Sequence, residues 1–185
     1  MTILHADGSP HPSPNDNSLV VRLNLGNTRV LLMGDAEAGG REDTSEVPTA
    51  DSVEGQLLAC CTADLSARVM VVGHHGSKTS SRRALLDAVG ASVFIVSSGP
   101  TKYGSVTLPD SEVITELASR GQVFRTDTDD QACAQNTAKI GSDNDDRAGG
   151  CDNIRVVISD SSPLQVSVWH RPRVICGPEL RDAAS

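Results

Sequence analysis

Two adjacent histidines, His74 and His75, stand between glycines in the stretch Val69-Met-Val-Val-Gly-His-His-Gly-Ser-Lys-Thr-Ser-Ser81. Imidazoles titrate near neutrality and ligate metals as neutral bases, so such a pair after an apolar run suits metal binding or acid/base chemistry. A carboxylate is placed the same way: Asp35 follows the apolar run 30–33 and Gly34. A carboxylate at a strand end serves as a metal ligand or a base, or simply caps the next turn. Taken singly, each feature also reads as an ordinary surface histidine or turn cap; their recurrence at successive strand ends points to a site. Ser77, Lys78, Thr79 and Ser80 follow the histidines and precede a helical pattern. Hydroxyls and an ammonium at a helix N-terminus suit an anionic group. The run Gly76-Ser-Lys-Thr79 is not a nucleotide-binding phosphate loop, because Gly73 and Gly76 stand too close together and Ser77 intervenes.

The elements that must hold these residues follow from apolar periodicity. Residues 18–25 and 28–33 read as a hairpin across Gly26-Asn27. Further strands are predicted at 2–4, 68–72, 92–97 and 122–125, with a final pair at 153–159 and 164–169. Helices are predicted over 52–61 with Ser52 as N-cap, over the segment after Ser80 or Ser81 with either serine as cap and Gly90 as stop, and from Pro109-Asp110 to Gly121. Residues 6–17 are proline-rich and read as an irregular loop in which His11 is exposed. Residues 36–50 read as a flexible surface loop and 98–108 as a long loop carrying Tyr103. From 126 to 152 the apolar pattern is lost, which predicts a solvated insertion, and 171–185 reads as a loose tail. Asp143-Asn-Asp-Asp146 is not a calcium loop, since Ile154 stands where the twelfth-position glutamate belongs. Strands alternating with helices make an α/β layered domain over residues 1–170, in which the loops after strand ends converge on one edge.

Composition sets limits. The 185 residues carry 38% hydrophobic content, enough for one domain with a core. No apolar run reaches the ~20 residues of a membrane span, and the first residues lack a signal-peptide pattern, so a soluble chain is expected. A net charge of −8 and 2% aromatic content argue against broad electrostatic binding to nucleic acid or base stacking. A nuclease stays open, because bound divalent metals can supply local positive charge. The five cysteines form no zinc pattern; Cys60 and Cys61 are expected as buried thiols, and Cys133 and Cys151 as a candidate disulfide in an oxidising compartment.

Several of these stretches together resemble one family. Asn15-Asp-Asn-Ser-Leu-Val-Val-Arg-Leu23, Val30-Leu-Leu-Met-Gly-Asp35, the His-His-Gly-Ser stretch, Lys102-Tyr-Gly104 and Arg125-Thr-Asp127 occur in the order seen in metallo-β-lactamase-fold hydrolases. The chain resembles the C-terminal half of such a domain, most of all that of ComEC-type DNA-uptake (competence) proteins, over roughly residues 1–130. The resemblance implies an αββα sandwich, of which only the C-terminal half stands here, and two zinc or manganese ions. It implies that Asp35 bridges the metals and that one of His74 and His75, with His75 preferred, is the last histidine ligand. His5 would be the middle histidine ligand, Asp35 and His75 the catalytic pair, and Ser77, Lys78, Thr79 and Tyr103 the substrate-binding residues. It implies hydrolysis of a phosphodiester, with DNA as the partner molecule.

The departures from that pattern shape the alternatives. The principal metal motif, His-x-His-x-Asp-His, is absent: the histidines are His5, His11, His74, His75 and His170, and no pair has its spacing. Gly104 is followed by Ser105-Val-Thr-Leu-Pro109 rather than by His-Pro. Metal is therefore expected to bind weakly, and the activity to need a complementary N-terminal segment. The alternatives are a non-catalytic half domain and a hydrolase of small esters or lactones. A half sandwich is expected to leave an apolar sheet face bare around 30–33 and 93–96, to be covered by a second copy or the missing half.

Overall fold

The computed structural model describes residues 1–99, 102–127, 153–159 and 163–169. In chain order its strands and helices are β1 (Thr2–His5), β2 (Val20–Leu25), β3 (Thr28–Leu32), α1 (Val53–Leu65), β4 (Val69–Val71), α2 (Arg83–Val89), β5 (Val93–Val96), β6 (Lys102–Tyr103), β7 (Val106–Thr107), α3 (Ser111–Ala118), β8 (Gln122–Arg125), β9 (Asn153–Val157) and β10 (Gln165–Trp169). Six strands form one mixed sheet in the order β1-β2-β3-β4-β5-β8. The expected hairpin is there, β2 and β3 antiparallel with Leu25 opposite Thr28, and β3, β4, β5 and β8 run parallel. The long loop 98–108 contains a short hairpin of its own, β6 with β7. The candidate disulfide Cys133–Cys151, the acidic run 143–146, the tail 171–185 and nearly all of the insertion 126–152 lie outside the described residues.

Period-two alternation decides which residue faces which layer. Leu31, Met33, Met70, Phe94 and Val96 point to one face, where Val53, Leu57 and Leu65 of α1, Leu85, Leu86 and Val89 of α2, and Val113 and Leu117 of α3 cover them. Val30, Val69, Val93 and Ile95 point to the other face, where Ile154 and Val156 of β9 and Val166 of β10 pack against them. The expected bare sheet face is therefore corrected: Val30, Val93 and Ile95 are only 7%, 6% and 8% exposed. The covering strands come from the end of the chain, and their alternating apolar residues complete the stack. Among the described residues the layers are helix, sheet, sheet.

Three local expectations are also corrected. Ser52 does cap α1, its hydroxyl accepting from the Gly55 amide, but neither Ser80 nor Ser81 caps α2. Arg82 holds the N-cap position without a side-chain bond. The amides of Ser81 and Arg82 donate instead to the Glu54 carboxylate, a fully buried group projected from α1. Segment 36–50 has no helix or strand, yet it is pinned. The guanidinium of Arg82, 1% exposed, donates to the carbonyls of Gly40, Glu42 and Asp43 and to the Glu42 carboxylate. Cys60 and Cys61 are not buried thiols: they form a disulfide between neighbours, and Cys60 is exposed. The backbone leaves the helical path at Cys61 (φ −137°, ψ 20°), so the i, i+4 spacing from Leu57 no longer directs it inward.

Burial pushes the Glu54 carboxyl up to about 7 from an ordinary 4.5, against the lowering effect of the two amides and Arg82. The folded state thus holds a proton between those values that the unfolded chain has released. Stability therefore falls as pH rises from about 4.5 to 7, by on the order of 3 kcal/mol. Glu54→Gln removes this titration, and urea melts across that window are expected to flatten. A wild-type profile that rises over the same window contradicts this role.

Candidate metal and anion site

The parallel strands end at one edge, and the turns beyond them carry the candidate residues. After β3 the chain turns at Gly34 (φ +57°), where a Cβ would stand 3.2 Å from the Leu19 carbonyl oxygen, and Asp35 follows. After β4 it passes through His74 (φ 46°, ψ 46°), His75 (φ 55°, ψ 24°) and Gly76 (φ +76°), three successive left-handed residues. Residues other than glycine enter that region rarely, histidine more readily than most; each such residue costs about 1 kcal/mol. Two in a row persist because the surroundings fix them. The Gly34 carbonyl accepts the His74 amide (3.0 Å), which ties the two turns together. At Gly76 a Cβ would meet Pro109 Cβ at 2.7 Å, so the close approach of the loop before α3 requires glycine.

The two imidazoles have different jobs. His75 Nδ1 lies 2.7 Å from the Ser97 carbonyl at the end of β5. A carbonyl only accepts, so Nδ1 carries the proton and neutral His75 presents the bare lone pair of Nε2. That Nε2 lies 3.6 Å from Asp35 Oδ1. Two electron-pair donors face each other across a gap too long for a strong hydrogen bond, the geometry in which a shared cation fits. His74 Nδ1 instead lies 2.9 Å from both Thr79 Oγ1 and Glu37 Oε1, which lock its ring. It is His75, not His74, that faces Asp35.

His5 repeats the His75 pattern, with Nδ1 2.7 Å from the Ser18 carbonyl. The hydroxyl of the same serine accepts the Asp35 amide at 3.1 Å, so Ser18 joins β1 to the Asp35 turn. His11 pairs with Asp7 at 2.9 Å and is half-buried rather than exposed. Bonds from Ser9 first, and then His11, hold the Asp7 carboxyl down at about 2.

A cavity of about 350 Å³ lies over the edge, lined by Asp35, Arg41, His74, His75, Ser77, Thr79, Tyr103, Val106 and Leu108. Asp35, both histidines, Ser77, Thr79 and Tyr103 are thus brought together. Lys78 and His5 are not among the lining residues. The Lys78 ammonium pairs with Glu112 of α3, and its amide donates to Asp110 Oδ2 at 2.8 Å. The expected helix-terminal anion cradle at 77–80 is not formed. Helix α2 starts only at Arg83, and the amides of Lys78, Thr79 and Ser80 already donate to Asp110, to the Ser77 hydroxyl and to the Ser77 carbonyl. Sequence reasoning missed Arg41, Glu37 and Asp110. Nothing local marks Arg41 in its Gly/Glu/Asp-rich loop, whereas Asp110 carried a signal, as the residue opening a helix.

Two protein ligands do not make a closed metal centre. Among the described residues no group of three or more His, Cys, Asp or Glu is arranged to hold an ion. Asp35 and His75 fit two positions of one. Nor is any described helix long and apolar enough to cross a membrane.

No family model matches the chain. It is 37% identical over 95 residues to Recombination protein 2 of Haemophilus influenzae and 33% identical over 85 residues to Competence protein ComA of Neisseria gonorrhoeae. It is 30% identical over 99 residues to the uncharacterized protein YcaI of Escherichia coli K12. These matches take in 49%, 46% and 54% of this chain. The chain spans about a tenth of the length of these curated relatives (10%, 10% and 11%).

Proposed function

We propose that this chain is part of a metal-dependent hydrolase acting on phosphodiesters and that it serves DNA uptake, a reading supported by its similarity to a protein named for competence. The observation that carries the reading is the His75–Asp35 pair, with Nε2 turned to the carboxylate by the bond from Nδ1–H to Ser97. Asp35 and His75 would hold zinc or manganese as two of its ligands; His5, linked to the Asp35 turn only through Ser18, is not grouped with them among the described residues. A bound ion of this kind activates water and polarises a phosphoryl oxygen. The chain's own residues do the positioning: the Ser97 carbonyl fixes the tautomer, the Gly34 carbonyl fixes the turn, and Val106 and Leu108 give the cavity an apolar wall.

A second reading, a non-catalytic partial domain, draws on the absence of a three-ligand group among the described residues. Hydrolysis assays with zinc or manganese separate the two. Bis(p-nitrophenyl) phosphate turned over by wild type and not by Asp35→Ala supports the hydrolase. Turnover of p-nitrophenyl acetate or a lactone alone moves the substrate to small esters, and no turnover of any of them leaves the non-catalytic reading.

A further inference from the structure

We propose that Arg41 is the residue that receives the anionic oxygen of the substrate in this cavity. The proposal rests on the phosphodiester reading and gives it the cation that Lys78 does not supply. Among the described residues that line the cavity with Asp35 and His75, Arg41 is the one Lys or Arg. Its Nη2 lies 2.5 Å from Asp110 Oδ1 and its Nη1 3.3 Å from Ser77 Oγ. Those two bonds aim the planar group and use two of its five N–H donors, which leaves a fork for a phosphate oxygen. Its side chain is 38% exposed, open enough for a ligand to reach.

The backbone of Arg41 is held as deliberately as its side chain. Arg82 donates to the carbonyls of Gly40, Glu42 and Asp43, on both sides of residue 41. Burying a guanidinium is costly and is weak evidence of a gain in stability. Here it fixes a segment without regular structure at the point where that segment enters the cavity. Ser77, 2% exposed and bonded to both Arg41 and Thr79, then joins the arginine to the histidine loop.

The test is an NMR titration in metal-free buffer with dimethyl phosphate, an anionic diester, against neutral trimethyl phosphate. Wild type is expected to bind the anion at least tenfold more tightly. Arg41→Ala should abolish that preference, Arg41→Lys should keep part of it, and Lys78→Ala should leave it unchanged. A wild type without the preference, or an Arg41→Ala variant that keeps it, overturns the proposal. Turnover is scored separately. Arg41-dependent binding without turnover in metal rejects the hydrolase and keeps this inference, whereas turnover with Arg41-independent binding does the reverse.

Discussion

Arg82→Ala is expected to lower the free energy of unfolding by about 3 kcal/mol. Arg82 is 1% exposed, and its guanidinium serves three main-chain carbonyls that no helix or strand satisfies. Truncation removes those donors, empties the space of a buried stem and takes a positive charge from the neighbourhood of buried Glu54. The carbonyls belong to exposed residues, so water replaces part of the bonding and keeps the figure from going higher. Glu42→Ala removes only the 55% exposed partner, and a cost below about 1 kcal/mol is expected. Urea melts of the two variants give the comparison. Equal losses would mean that the side-chain ion pair, and not the grip on residues 40–43, holds this segment.

Asp35→Ala is expected to lower phosphodiester hydrolysis by more than about 100-fold while shifting stability by less than about 1 kcal/mol. Loss of a group that merely orients a metal ligand costs about 10–100-fold, so loss of the ligand itself should cost more. The Asp35 side chain is 48% exposed and no described core contact depends on it, hence the small stability effect. His75→Ala should follow Asp35→Ala in rate, since the two groups face each other. Steady-state rates in saturating manganese beside thermal melts measure both quantities. A variant that loses activity only in proportion to its loss of folded protein would contradict a direct role.

What could be read from the sequence was what depends on near neighbours. The β2–β3 hairpin follows from alternation around Gly26-Asn27, the Ser52 cap from the three-residue step to Gly55, and the Gly90 stop from its left-handed conformation. The placement of Asp35 and His75 just past strand ends was legible because an apolar run and a glycine precede each of them. What stayed hidden involves partners far apart in the chain. Glu54 serves the turn before α2 from 27 and 28 residues away, and Arg82 grips carbonyls 39 to 42 residues upstream. The covering of Val30 and Val93 by β9 and β10 is of the same kind, since no local pattern says which sheet face a late hairpin will meet. Lys78 misled for a related reason. Its position in the loop suggested the cavity, but Glu112 of α3, 34 residues on, turns it away.

Whether Asp35 and His75 share a divalent cation is read out by calorimetric titration of zinc or manganese into the chain. Wild type is expected to bind weakly, Asp35→Ala and His75→Ala to lose that binding, and His74→Ala to keep most of it, because Glu37 and Thr79 rather than Asp35 engage the His74 ring. Binding that survives both Asp35→Ala and His75→Ala, or a wild type that takes up neither metal, would rule out a cation shared by these two residues.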